Sequence, residues 1–191
     1  MSIIDTLIFD RTVTDVQRIA NLAAAAQKRE LTADELDAWN ASVVRGAYNA
    51  EDLNRVGEAA LFVDAYLTEV QPTVDAYIAA LGVADDALFD AGIAGPAGIA
   101  PRLDFARDDA PIIYADVSET MRAASVVSAR VGIALSVDVT RLTYNGANAV
   151  ERALYDAFYF GENAINTRKD KADRIASAWY HGGDLFCGDL S

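Results

Sequence analysis

The chain has 191 residues, of which 52% are hydrophobic, enough for one domain of ordinary size or one domain plus an arm, and more than a disordered chain would carry. Its formal net charge of −13 (29 acidic against 16 basic residues) repels phosphate, which argues against nucleic-acid binding and against an anionic membrane surface. Much of the hydrophobic fraction is alanine, the strongest helix former, so composition points to an all-α fold.

Residues 2–11 mix apolar and polar side chains (Ile3, Ile4, Leu7, Phe9) without a helical period and are expected to form an extended arm or a short strand. Thr12 and Asp15 then make a start resembling a capping box, and Val16, Ile19, Ala20, Ala23 and Ala26 predict a helix over 13–28. Thr32 and Glu35 open a second helix along Leu36, Trp39 and Val43, expected to run to about Arg45 and end at Gly46. Asn49 caps a third, with Glu51 and Asp52 in the first turn. Its stripe of Leu53, Val56, Gly57, Ala60, Val63 and Leu67 extends to about Val70. Pro72 predicts a break, with a further short helix over 73–81 ending at Gly82.

The segment 92–111 holds three of the four prolines (Pro96, Pro101, Pro111) and Gly92, Gly95 and Gly98. It is expected to be a linker between an N-terminal helical half (13–91) and a C-terminal one (112–178). Asp116 and Glu119 open the next helix, lined by Val117, Met121, Ala124, Val127, Val131 and Leu135. Thr143 or Asn145 caps another, through Ala147, Val150, Leu154, Ala157 and Phe158, and a last one is expected over 163–178. Residues 179–191, aromatic and glycine-rich, are expected to form a second arm. The whole reads as a bundle of about five to seven helices with extended N- and C-terminal arms (1–12 and 179–191).

No constellation points to catalysis. The single His181, beside Tyr180 and Asp184, lacks a visible nucleophile, and the single Cys187 shares its arm rather than a rigid frame. One cysteine and one histidine leave no cysteine cluster or two-histidine zinc pattern. The pairs Asp85–Asp86 and Asp108–Asp109 do not have the spacing of a calcium loop. The glycines of 92–98 lack the lysine and hydroxyl of a phosphate loop. No catalytic, cofactor-binding or metal residue is assigned, and no cofactor is expected. The N-terminus is too short and acidic for a signal peptide, and no apolar run is long enough to span a bilayer, so synthesis in the cytoplasm is expected. Large apolar side chains in the two arms need burial, on their own domain or on a neighbour. Ile4, Leu7 and Phe9 in one arm, and Trp179, Tyr180, Leu185 and Phe186 in the other, are therefore the candidate interface residues.

Four stretches, LIFDRTVTDV (Leu7–Val16), YNAEDLNRVGEA (Tyr48–Ala59), LTYNGANAVERALYDA (Leu142–Ala157) and AWYHGGDLFCGD (Ala178–Asp189), resemble phage and prophage minor virion structural proteins of gut Gram-positive bacteria. The alanine-rich region 73–101 departs from that pattern. The resemblance implies a non-enzymatic part of a virion tail, baseplate or neck, located in the particle and associating with copies of itself and other virion proteins. The rival is a module for binding a host receptor or attaching a fibre. A small-molecule enzyme is the third class.

Overall fold

The structure is a computed structural model that describes residues 2–40, 49–83, 92–106 and 113–186, with the side chains of 37–40, 139 and 179–186 outside that set. Among the described residues it is all-helical. Its elements are a 3-10 turn η1 (Ile3–Thr6), α1 (Val13–Lys28), α2 (Ala33–Asn40), α3 (Ala50–Ala80), α4 (Tyr114–Ala129), a 3-10 turn η2 (Val139–Arg141) and α5 (Tyr144–Phe186).

The helix starts arise from side chains that satisfy orphan backbone N–H groups. At α1, the Asp15 N–H donates to the Thr12 hydroxyl (3.4 Å) and the Thr12 N–H donates to Asp15 Oδ2 (2.8 Å). Thr32 and Glu35 repeat the exchange at α2 (2.9 and 3.3 Å), as do Asn49 and Asp52 at α3 (3.1 and 3.0 Å). Aspartate therefore completes the box at two of these sites, although it is shorter than the favoured glutamate. α1 ends on Arg29 in the left-handed conformation (φ 59°), with the Glu30 N–H bonded back to the Ala25 carbonyl (2.9 Å). The expected end of α2 near Gly46 lies outside the described residues.

Two expected breaks are absent. α3 passes through Pro72 as one 31-residue helix. Pro72 removes one ladder bond, but it lies on an exposed turn where water reaches the freed carbonyl. The hydroxyls of Thr68 and Thr73, either side of it, donate to the carbonyls of Asp64 and Glu69 (both 2.7 Å). α5 likewise joins the two helices expected over 143–158 and 163–178, and it continues through residues 179–186 assigned to the second arm. Nothing between Tyr159 and Asn163 stops it. Gly161 is a packing glycine there, since a Cβ would lie 2.7 Å from Leu67 Cδ2 and 3.1 Å from Tyr66 Cε1. Residues 187–191 lie outside the described set.

α3, α4 and α5 pack on one another around a single core of Leu53, Val56, Ala60, Val63, Leu67, Met121, Ala124, Val127, Val150, Leu154 and Ala157. All three helices run in the same direction. Arg55 bridges Asp52 and Glu151 at one end of the α3–α5 pair, Gly161 faces Leu67 in the middle, Gln71 takes Arg168 (2.8 Å), and Tyr77 reaches Asp173 at the far end. A second cluster of Val74, Ile78, Val83 and Ala172 seals that end.

A bundle of parallel helices needs the chain to return after each helix. The segment 92–106, expected to be a linker between halves, is one such return. It lies along α3 in the reverse direction, and core residues from both sides of it form one unit. The Ala97 N–H donates to Asp64 (3.0 Å), Pro101 and Leu103 cross α3 at Gly57, and the Asn54 amide takes both the Phe105 N–H (3.0 Å) and carbonyl (2.8 Å). The reason is geometric. Extended chain rises about twice as far per residue as a helix, so a short glycine- and proline-rich segment retraces a long one. A Cβ at Gly57 would lie 2.8 Å from Leu103 Cδ2 and 3.4 Å from the Arg102 carbonyl, so glycine lets the segment cross this closely without displacing the Leu103 side chain.

Candidate interaction surface

The first arm is held to the bundle by buried charges. Glu151, fully buried on α5, accepts from the Arg11 guanidinium (2.7 Å), from Arg55 Nη2 and Nε (3.1 and 3.2 Å) and from the Ile8 backbone N–H (2.6 Å). Asp52 on α3 shares both arginines, with Arg11 Nη2 at 3.1 Å and a shorter contact from Arg55. The Asn148 side chain brackets the backbone of Arg11, accepting its N–H (3.1 Å) and donating to its carbonyl (2.8 Å). Burial opposes the charge on Arg55, but hydrogen bonds and attraction from Glu151, then from Asp52, hold its guanidinium more firmly protonated than usual. Three of the four resembling stretches meet here: Arg11 comes from the first, Asp52 and Arg55 from the second, Asn148 and Glu151 from the third.

This packing decides where the candidate interface residues lie. Ile4 and Leu7 are buried in the core, so within one copy their apolar side chains are already covered. They are buried because η1 turns Ile4 inward and the backbone clamp at Ile8 and Arg11 pins the segment onto α3 and α5. Phe9 is only partly buried and stacks at 5.1 Å on Tyr155 of α5. Trp179, Tyr180, Leu185 and Phe186 ride on the last turns of α5, and their side chains lie outside the described residues, as do the pairs Asp85–Asp86 and Asp108–Asp109 and Cys187.

From Phe9 the rings continue across the molecule. Tyr155 meets Tyr159 at 4.5 Å, Tyr159 meets Phe158 edge-on at 5.3 Å, and Phe158 meets Tyr66 at 4.7 Å and Phe62 at 5.8 Å on α3. None of Phe9, Tyr66, Tyr155, Phe158 and Tyr159 is fully buried, and Phe62 is 40% exposed. Arg152 lies over the rings of Phe9 (5.1 Å) and Tyr155 (5.5 Å) and also pairs with Asp156 (2.8 Å). The phenol of Tyr159 ionises above its ordinary range, chiefly through its hydrogen bond with Tyr155, and that of Tyr66 does so through burial and then the charge of Glu162. These two rings therefore stay uncharged at neutral pH. Helical spacing alone suggests that Tyr155 and Phe158 belong to the core. The continuity with Phe9, Phe62 and Tyr66 depends on which helices become neighbours.

No protein family, curated protein or solved structure matches the chain. Among the described residues no group of three or more His, Cys, Asp or Glu side chains is gathered as a metal site, and no helix is long and apolar enough to cross a membrane. The open groove of about 660 Å³ between α1 and α2 is lined by Arg18, Asn21, Asp34 and Glu35, with Leu22 and Ala25 along its apolar side. The Glu35 carboxyl is held below its ordinary range by the backbone N–H and hydroxyl of Thr32, so its shift reports helix capping. The arrangement suits adhesion to another surface better than acid–base chemistry: aromatic rings with an arginine over them supply contact area and directional contacts.

Proposed function

We propose that the chain is a non-enzymatic structural component of a bacteriophage virion, in the tail, baseplate or neck, assembling with copies of itself and with adjoining virion proteins. The observation that supports an assembly role is the partly exposed aromatic surface running from Phe9 through Tyr155, Tyr159 and Phe158 to Phe62 and Tyr66. Protein interfaces are enriched in such rings and in arginine, because both give much contact area for few rotatable bonds. The virion part of the reading is supported by the four resembling stretches.

Two measurements test it. Light scattering on the full chain and on Phe62→Ser should show an oligomer that loses subunits when this exposed ring is removed. A full chain that is monomeric in both forms would favour the module that binds a host receptor or attaches a fibre. Mass spectrometry of purified particles from the bacterium that carries the gene should find peptides of this chain at a fixed ratio to the major tail proteins. Their absence from particles would overturn the virion assignment.

A further inference from the structure

We propose that the groove between α3 and α5 that holds residues 2–12 also accepts the same segment from a second copy of the chain, with α1 and α2 as the spacer between copies. Such exchange does not depend on the virion reading and would hold for any protein of this fold. The groove, first, recognises a peptide in detail. It buries Ile4 and Leu7, takes the Ile8 N–H on Glu151, brackets the Arg11 backbone with Asn148 and receives the Arg11 guanidinium between Asp52 and Glu151. All of these contacts join the segment to α3 and α5, and each can be made by an identical segment arriving from elsewhere.

The two helices after the segment, second, are loosely attached. Among the described residues neither α1 nor α2 lies along α3, α4 or α5. Only Leu22 of α1 is buried, while Val13, Val16 and Leu36 are exposed. Both helices are capped by their own side chains, so their starts do not depend on residues 2–11 staying on their own bundle. A 16-residue helix spans about 24 Å, long enough to carry the segment from one bundle to a neighbour. Exchange between copies makes no new contact. It is governed by the concentration of neighbours relative to the tethered segment, and it becomes favourable where copies are crowded in an assembly.

Mixed-chain crosslinking tests this on the full-length protein with Cys187→Ser in every chain. One chain carries Phe9→Cys and the other Tyr155→Cys. The two are unfolded and refolded together at high concentration, then treated with a short bis-maleimide. A second acceptor chain carries Arg152→Cys, an exposed position beside the same ring, so that the test does not depend on replacing a packed tyrosine. A chain with Asn166→Cys, exposed further along α5, reports random collision. Exchange predicts crosslinked heterodimers from both acceptors at several times the Asn166→Cys yield. Equal yields from all three, or no heterodimer, would overturn the proposal. Crosslinks that form equally well when the folded chains are mixed without unfolding would assign them to contact through the aromatic surface and would also overturn the proposal.

Discussion

Glu151 has no exposure to solvent, and its oxygens receive Arg11, Arg55 and the Ile8 N–H. Removing one member of a buried ion cluster strands the others, which costs about 3–5 kcal/mol. Glu151→Ala should therefore lower the unfolding free energy by that amount in urea, and the first region to lose amide protection should be residues 7–12. Nothing in the local sequence marks Glu151 out. It sits two turns into an amphipathic helix, and its partners are 96 to 143 residues away. Tyr77 is a second residue with a measurable signature. Its hydrogen bond to Asp173, then burial and the charges of Asp173 and Asp170, raise its pKa above 10.0. The folded state thus holds the phenolic proton more tightly than the unfolded chain does. Stability is intact below about pH 10 and is lost as the pH climbs through the higher folded value. Tyr77→Phe should flatten part of that alkaline loss, read as the urea midpoint against pH.

At the scale of the element, helix starts were legible and helix continuations were not. Thr12, Thr32 and Asn49 cap where their spacing to Asp15, Glu35 and Asp52 predicts, because a cap is settled within one turn. Pro72 and Gly161 look like punctuation in the text, but the fold uses one on a wet face and the other at a close approach. Alanine should have opposite effects at the two positions. Pro72→Ala restores a ladder bond on an exposed turn and should raise stability by about 1–3 kcal/mol. Gly161→Ala has better helix propensity by about 1 kcal/mol, but its methyl meets Leu67 and Tyr66, and overpacking of this kind costs about 1–3 kcal/mol. The net effect should be destabilising, and thermal unfolding of the two variants distinguishes the readings.

Across the whole molecule, stability should be unevenly distributed. The valines and leucines of α3, α4 and α5 share one core, whereas α1 and α2 contribute little to it. Hydrogen exchange is expected to show α3 amides from Leu53 to Leu67 and α5 amides from Val150 to Gly161 opening only with global unfolding. Those of α1 should exchange at least about a hundredfold faster. Uniform protection across all five helices would contradict this division. The all-α character was legible from alanine content and apolar period. The parallel course of the three core helices was not, because it depends on the return segment 92–106 being pinned by Asn54 and Asp64. Glycine and proline advertise a non-helical path, and their presence alone does not say whether that path is free or fastened. The aromatic surface was illegible for a related reason: Phe62 and Phe158 become neighbours only once α3 and α5 run side by side.

The clamp on Arg11 also has a consequence for synthesis. Its carboxylate partner on α5 is 140 residues further along the chain, so a ribosome has made Arg11 long before Glu151 exists to receive it. At about 5–20 residues per second, that interval lasts roughly 7–28 seconds. Throughout it, Ile4, Leu7 and the cation wait unburied on the nascent chain. A long-range closure of this kind makes the last step of folding the slow one. Where many copies are translated from one messenger, it also leaves each newly made segment available to whichever finished bundle lies nearest.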